Sequence, residues 1–352
     1  MTTLKTGDAK DLRISLLRIT ATLAIVWLHT NGTTVVHPEI IEVDEAHARW
    51  FVVNYYLMRW GVPIFLMITG ALMLNRKKEL TPDECIFKYA RRIFLAVLLF
   101  GSAYSFVLGA GSDTIIGSLL KAPWHAVSGR TAAHLWYCFM LIGVYLILPV
   151  LKTFVDHAPR RWVFTVLVCI FIFGMVIPTI NRVFALHIEF SIAVTYPVFY
   201  ILCGYYMDRY RTDRYRPLYL IGLPVLLLAT GIAACLDPTL DTARFDYMSP
   251  VPALEAVCIF GLFFGNENTP AVLRTVSPSL KKGLWQIDRL CFGVYLIHPI
   301  FIQGFYRILK LTPMHMGAYR LGTVLIFLIV SLLSFLACAV LRLIPAMRKY
   351  VL

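Results

Sequence analysis

Apolar runs of 18 or more residues recur along the chain, and they constrain its fold more than any motif does. A helical run of that length, rising 1.5 Å per residue, crosses the hydrocarbon of a bilayer. Inside lipid every backbone N–H and C=O needs a partner within the protein, which leaves helices or a closed barrel. Unbroken apolar runs, rather than period-two alternation, select helices. Composition agrees: 59% of the 352 residues are hydrophobic and 15% are charged, against about 25% charged in an ordinary soluble domain. The expectation is an all-α, polytopic membrane bundle.

About ten spans are expected, at roughly 14–36, 51–75, 91–110, 133–152, 162–180, 188–207, 217–236, 250–266, 290–309 and 319–343. That arrangement puts both termini on one side. Most of the 33 Lys and Arg residues then lie on the terminal side, in stretches such as "NRKK", "KYARR", "PRRW" and "DRYRTDRYR", whereas acidic residues divide evenly. By the positive-inside rule both termini are cytoplasmic. The net charge of +13 therefore reports topology, and no nucleic-acid partner is expected. Lys5, Lys10 and Arg13 precede the first apolar run as in a signal peptide, but "TNGTTVVHPEI" offers no small-x-small cleavage site, so a retained first span is expected. The loops are short, with the longest outward ones at 37–50, 111–132 and 237–249, and residues 1–352 read as a single integral membrane domain. None of the eight cysteines forms a CxxC pair, so neither a disulfide framework nor a metal site is indicated.

Chemistry must then sit within the bundle. The first span, "RITATLAIVWLHT", carries Arg18 and His29. Eleven residues are close to three turns, so both share one helix face, about 16 Å apart along the axis. Ionisable groups at membrane depth are costly and usually face a protein interior or a wet cavity. Snorkelling to the headgroups is the plain alternative for Arg18, and a bonded packing histidine is the alternative for His29. In the second span, "NYYLMRWGVPIFLMITG" places Asn54, Arg59 and Trp60 in the outer third, more polarity than an anchor requires. Glu39 lies beyond His29 and either orients an imidazole or is a solvated loop carboxylate. Lys88, Arg91 and Arg92 stand at i, i+3 and i+4, which on an α-helix is one face. That face suits a phosphorylated ligand, or it is positive-inside charge. His134 and Trp136 open the fourth span in "HLWY", where aromatics are also interfacial anchors. Tyr295 and His298 are three apart in "CFGVYLIHP". No Walker A, GxSxG or HExxH motif occurs.

Taken in order, these residues resemble the acyltransferase 3 family of bacterial membrane proteins, and within it the small single-domain members that O-acetylate or O-succinylate envelope and extracellular polysaccharides. The family's Arg-x10-His pattern falls on Arg18 and His29, and Arg-x-x-Val-Pro-x-Phe-x-x-x-(Ser/Thr)-Gly falls on Arg59, Val62, Pro63, Phe65, Thr69 and Gly70. The basic pair before the third helix corresponds to Lys88 and Arg91, with lysine where arginine is usual. His-Leu-Trp-(Tyr/Phe) matches residues 134–137, and Gly-x-Tyr-x-x-His matches Gly293, Tyr295 and His298.

The resemblance implies a ten-helix enzyme of the bacterial plasma membrane. It would carry an acyl group, acetyl above all or else succinyl, from cytoplasmic acyl-CoA to a hydroxyl of a surface polysaccharide or lipid-linked saccharide. It implies His29 and Arg18 as catalytic residues and Lys88 and Arg91 at the donor; Glu39 joins the catalytic set and Arg92 the donor set on the residue reading above, not on a family motif. Arg59, His134, Trp136, Tyr295 and His298, with Asn54 and Trp60 added from the residue reading alone, are expected to line the acceptor site or cavity. Acyl-CoA is a co-substrate, with no tightly bound cofactor and no metal. Partners would be membrane lipid, the donor and the saccharide acceptor, and either a homo-oligomer or a polysaccharide-synthase complex is compatible. From a different class, the same charges can line a transporter or flippase for a lipid-linked saccharide or small solute. The lack of internal repeats weighs against that alternative.

Overall fold

The computed structural model describes residues 6–36, 43–107, 115–190, 192, 196–210, 212–236, 246–264 and 276–352, and the described secondary structure is helical. The chain is an all-α, polytopic membrane bundle. Six helical segments are long and apolar enough to cross a membrane: Leu12–Thr33, Glu45–Met73, Ala133–His157, Arg160–Phe184, Arg216–Leu236 and Tyr319–Leu341. The helices are α1 (Thr6–Val36), α2 (Glu45–Tyr56), α3 (Gly61–Met73), α4 (Arg91–Val107), α5 (Ile115–Val127), α6 (Trp136–His157), α7 (Arg160–Phe184), α8 (Tyr196–Arg209), α9 (Arg216–Leu236), α10 (Pro250–Phe263), α11 (Pro278–Asp288), α12 (Cys291–Gln303), α13 (Tyr319–Leu341) and α14 (Pro345–Tyr350).

α1 is the hub, in contact with α2, α3, α10, α11, α12 and α13. The peripheral α7, α9 and α13 instead expose large apolar side chains, among them Trp162, Phe164, Ile221, Leu228, Leu328 and Leu332. Patches of that kind are costly in water and cost nothing against acyl chains.

Several elements depart from uninterrupted spans, each for a local reason. The second expected span breaks at Leu57–Trp60, because Pro63 has no N–H for the carbonyl of Arg59. Residues 188–190 are non-helical, and the sixth expected span is helical from Tyr196. Residues 115–127, read from sequence as part of a loop, form α5, which packs on α4 with Ala126 against Gly101. α3 and α8 cross at their glycines: a Cβ on Gly70 would lie 1.9 Å from the Ile201 carbonyl oxygen, and one on Gly204 would lie 2.0 Å from that of Met67. The glycine that closes the second motif is thus a backbone-contact residue, which only a residue without a side chain can be.

Candidate functional site

Among the described residues two cavities of similar size lie along α1, called inner toward its N-terminal end and outer toward its C-terminal end, with a smaller one of about 350 Å³ beside Arg18 and Asp288. The inner one, about 520 Å³, is lined by Arg18, Arg92, Asp288, Arg289, Arg342 and Arg348 together with apolar and phenolic groups that include Phe65, Tyr137 and Tyr295. The outer one, about 530 Å³, is lined by His29, His134, Tyr55, Tyr104, Trp136, Gln303 and Arg307, among others. Arg18 and His29 therefore stand on different cavities, joined by the helix that carries both.

His29 is half-buried and His298 fully buried. His29 Nδ1 lies 2.8 Å from His298 Nε2, with the rings stacked at 5.0 Å between centroids. His298 Nδ1 lies 2.9 Å from the Val294 carbonyl oxygen. A carbonyl only accepts, so His298 donates from Nδ1, and its neutral ring then offers a lone pair at Nε2. His29 must donate to that lone pair from Nδ1, which leaves Nε2 of neutral His29 as a lone pair. The tautomers are assigned by this network. The helix α12 makes it possible, because residues 294 and 298 are one turn apart.

His134 completes a three-imidazole cluster, its ring centroid 6.2 Å from that of His29 and 5.8 Å from that of His298. Its Nε2 donates to the Leu296 carbonyl at 3.4 Å, an acceptor that Tyr104 Oη shares at 2.9 Å. Tyr295 donates its hydroxyl to the His134 carbonyl. Since Tyr295 lines the inner cavity and His134 the outer, this bond connects the two walls. Among the described residues no group of His, Cys, Asp and Glu is arranged to hold a metal ion.

Arg18 Nη1 donates to Asp288 Oδ1 at 2.6 Å, and Ser15 Oγ donates to Asp288 Oδ2 at 2.9 Å. Sequence reading passes over Asp288, because it looks like any polar residue between two apolar runs. Arg59 is buried, with its guanidinium 4.4 Å from the Tyr55 ring centroid, 4.9 Å from that of Tyr247 and 4.0 Å from the Asp246 carboxylate. Tyr247 also packs on Trp136, so Arg59 props two aromatic walls of the outer cavity, Tyr55 directly and Trp136 through Tyr247. Trp60 is buried at the break before α3, and Asn54 donates back to the Trp50 carbonyl at 2.9 Å; neither lines a cavity described above. Glu39 lies outside the described residues.

Of the three basic residues at and just ahead of the start of α4, Arg92 lines the inner cavity and Lys88 and Arg91 do not. The segment Cys85–Ala90 is a π-helix, which has a longer turn than an α-helix and rotates Lys88 off the face that i, i+3 and i+4 spacing would share. Lys88 instead bonds Glu84 at 3.1 Å. Glu84 also accepts from Arg76 at 3.0 Å, and these partners, Arg76 foremost, hold its carboxyl down to about 2.

A family model described as an acyltransferase domain matches residues 11–343. The chain belongs to the acyltransferase 3 family. The match runs from α1 into the segment just past α13, so every residue named above on the two cavities of this acyltransferase 3 chain lies within it except Arg348. No curated protein and no solved structure matches the chain. Family membership carries an acyl-transferring role in general.

Proposed function

We propose that this chain is a membrane O-acyltransferase that takes an acyl group, acetyl above all, from acyl-CoA in the inner cavity to a saccharide hydroxyl in the outer one. The observation that carries this reading is the placement of Arg18 and His29 on two cavities along a single helix. Phosphate-binding charge stands on one side and a base on the other, as a cytoplasmic donor and an external acceptor require. The reading takes the chain as one ten-span domain of a bacterial plasma membrane with both termini cytoplasmic.

In this scheme Nε2 of His29 removes the proton of the acceptor hydroxyl as the oxygen bonds to the thioester carbonyl carbon. The tetrahedral intermediate collapses, the C–S bond breaks, and the proton held on His29 passes to the departing sulfur. His298 orients His29 through the 2.8 Å bond and stabilises the imidazolium that forms. Arg18 belongs to the donor side, since about 16 Å of helix separates it from His29. Tyr55, Trp136 and Tyr104 offer aromatic faces to a sugar ring. Tyr137 and Tyr295 stand where the pantetheine arm approaches the histidines from the inner side.

Purified protein supplied with [acetyl-¹⁴C]acetyl-CoA and an envelope polysaccharide fraction is expected to label the polysaccharide. Movement of unmodified saccharide across vesicles without any acyl-CoA, and no labelling, would sink this reading in favour of a flippase.

The Arg18–Asp288 pair permits a separation of stability from chemistry. Arg18→Gln leaves Asp288 with Ser15 as its bonded partner and is expected to cost about 1–2 kcal/mol, reduced from the fully buried case by partial exposure. Adding Asp288→Asn should restore thermal stability without restoring transfer. Recovery of transfer in the double variant would assign Arg18 a structural role alone.

A further inference from the structure

The inner cavity carries five arginines and one side-chain carboxylate, that of Asp288, which is committed to Arg18. Arg92, Arg289, Arg342 and Arg348 remain. They come from four separate places: the start of α4, the junction of α11 and α12, the residue after α13, and α14. Among the described residues none of the four forms an ion pair. Two of their bonds go to backbone carbonyls, which fix orientation without neutralising charge: Arg342 Nη1 donates to the Arg289 carbonyl at 3.0 Å, and Arg92 Nε donates to that of Val351 at 3.2 Å. All four line the same cavity. The four cations therefore repel one another across the same space.

The positive-inside rule explains cations on this side of the membrane. It does not explain their convergence on one cavity, where mutual repulsion disfavours the arrangement. A bound polyanion would remove that cost, and planar guanidinium forks suit phosphate oxygens better than ammonium groups do.

We propose that Arg92, Arg289, Arg342 and Arg348 form a polyanion site that holds the phosphates of the acyl donor, the pyrophosphate and 3′-phosphate of coenzyme A. This rests on the donor reading above and assigns that role to residues contributed mainly by the C-terminal third of the chain. The cavity then divides in two. Its charged rim takes the nucleotide end, and its apolar, phenolic interior around Phe65, Tyr137 and Tyr295 takes the pantetheine and acyl end.

The test is equilibrium binding of coenzyme A, 3′-dephospho-coenzyme A and pantetheine to the full chain in nanodiscs of phosphatidylcholine. Coenzyme A should bind about tenfold more tightly than its dephospho form, with affinity falling steeply as salt rises. Arg348→Gln, on the exposed α14, and Arg289→Gln should each weaken coenzyme A about tenfold and leave pantetheine unchanged. Arg342→Lys keeps the charge but loses the fork, and should weaken binding less than Arg342→Gln. Arg161→Gln, exposed and remote from the cavity, should bind as the parent does. Unchanged coenzyme A affinity in Arg289→Gln and Arg348→Gln overturns the proposal. In a second set of nanodiscs that also contain phosphatidylglycerol, an effect of these variants seen only as lost association with that lipid likewise overturns it, and would make the cluster a lipid-headgroup site. If the variants weaken coenzyme A but the parent transfers no acyl group, the site stands and the acyltransfer reading fails. If the parent transfers acetyl and the variants keep its KM, the reading stands and the site fails.

Discussion

Replacing His29 by alanine is expected to lower acyl transfer by about 10²- to 10⁴-fold while coenzyme A binding stays at the parental value. The two effects separate because His29 lines the outer cavity and the four arginines line the inner. His298→Gln should fall between parent and His29→Ala. Glutamine offers an amide N–H for Val294 and an oxygen for His29, but on a flexible chain in place of a rigid ring, so the two bonds are held less firmly together. A labelled-acetyl assay with matched protein amounts reads all three. Rapid acid quench adds a second distinction: label retained on the protein and released by hydroxylamine would make His29 an acyl carrier rather than a base. Full transfer by His29→Ala would remove both versions.

The largest effect on folding is expected at the α3–α8 crossing. Gly70→Ala places a methyl 1.9 Å from the Ile201 carbonyl oxygen, and Gly204→Ala places one 2.0 Å from that of Met67. Neither obstacle is the far end of a flexible side chain, so the helices have to separate along their contact. The expected cost is ~3 kcal/mol, at the upper end for an overpacked site. Size-exclusion profiles in detergent should show loss of the monodisperse species and a lower Tm. Gly143→Ala is the control, since nothing lies within 4 Å of its added methyl. If Gly70→Ala and Gly143→Ala behave alike, the two backbones are not held in contact at this crossing.

Much of this architecture is legible in the sequence, for a physical reason. Lipid requires long apolar helices, so hydropathy alone exposes α1, α6, α7, α9 and α13. Arg18 and His29 stand out because ionisable groups are conspicuous against an apolar background. What hydropathy cannot show is pairing across the fold. His29 and His298 are 269 positions apart, and Arg18 and Asp288 are 270 apart. Asp288 sits between apolar runs where a polar residue attracts no notice. Arg289, Arg342 and Arg348 merge with the topological bias of Lys and Arg. The π-turn at Cys85–Ala90 has no signature in the sequence, and α-helical spacing read through it sets Lys88 beside Arg92 on a shared face. α5 escapes notice because its apolar run is too short to span a bilayer.

The separation of donor and acceptor along α1 is the central claim, and sidedness tests it most directly. Sealed proteoliposomes of defined orientation would receive labelled acetyl-CoA on the face of the arginine cluster and polysaccharide on the face of the histidines. The account predicts labelled polysaccharide in this arrangement, little in the reversed one, and none with His29→Ala. Labelling only when both substrates share one face would contradict it.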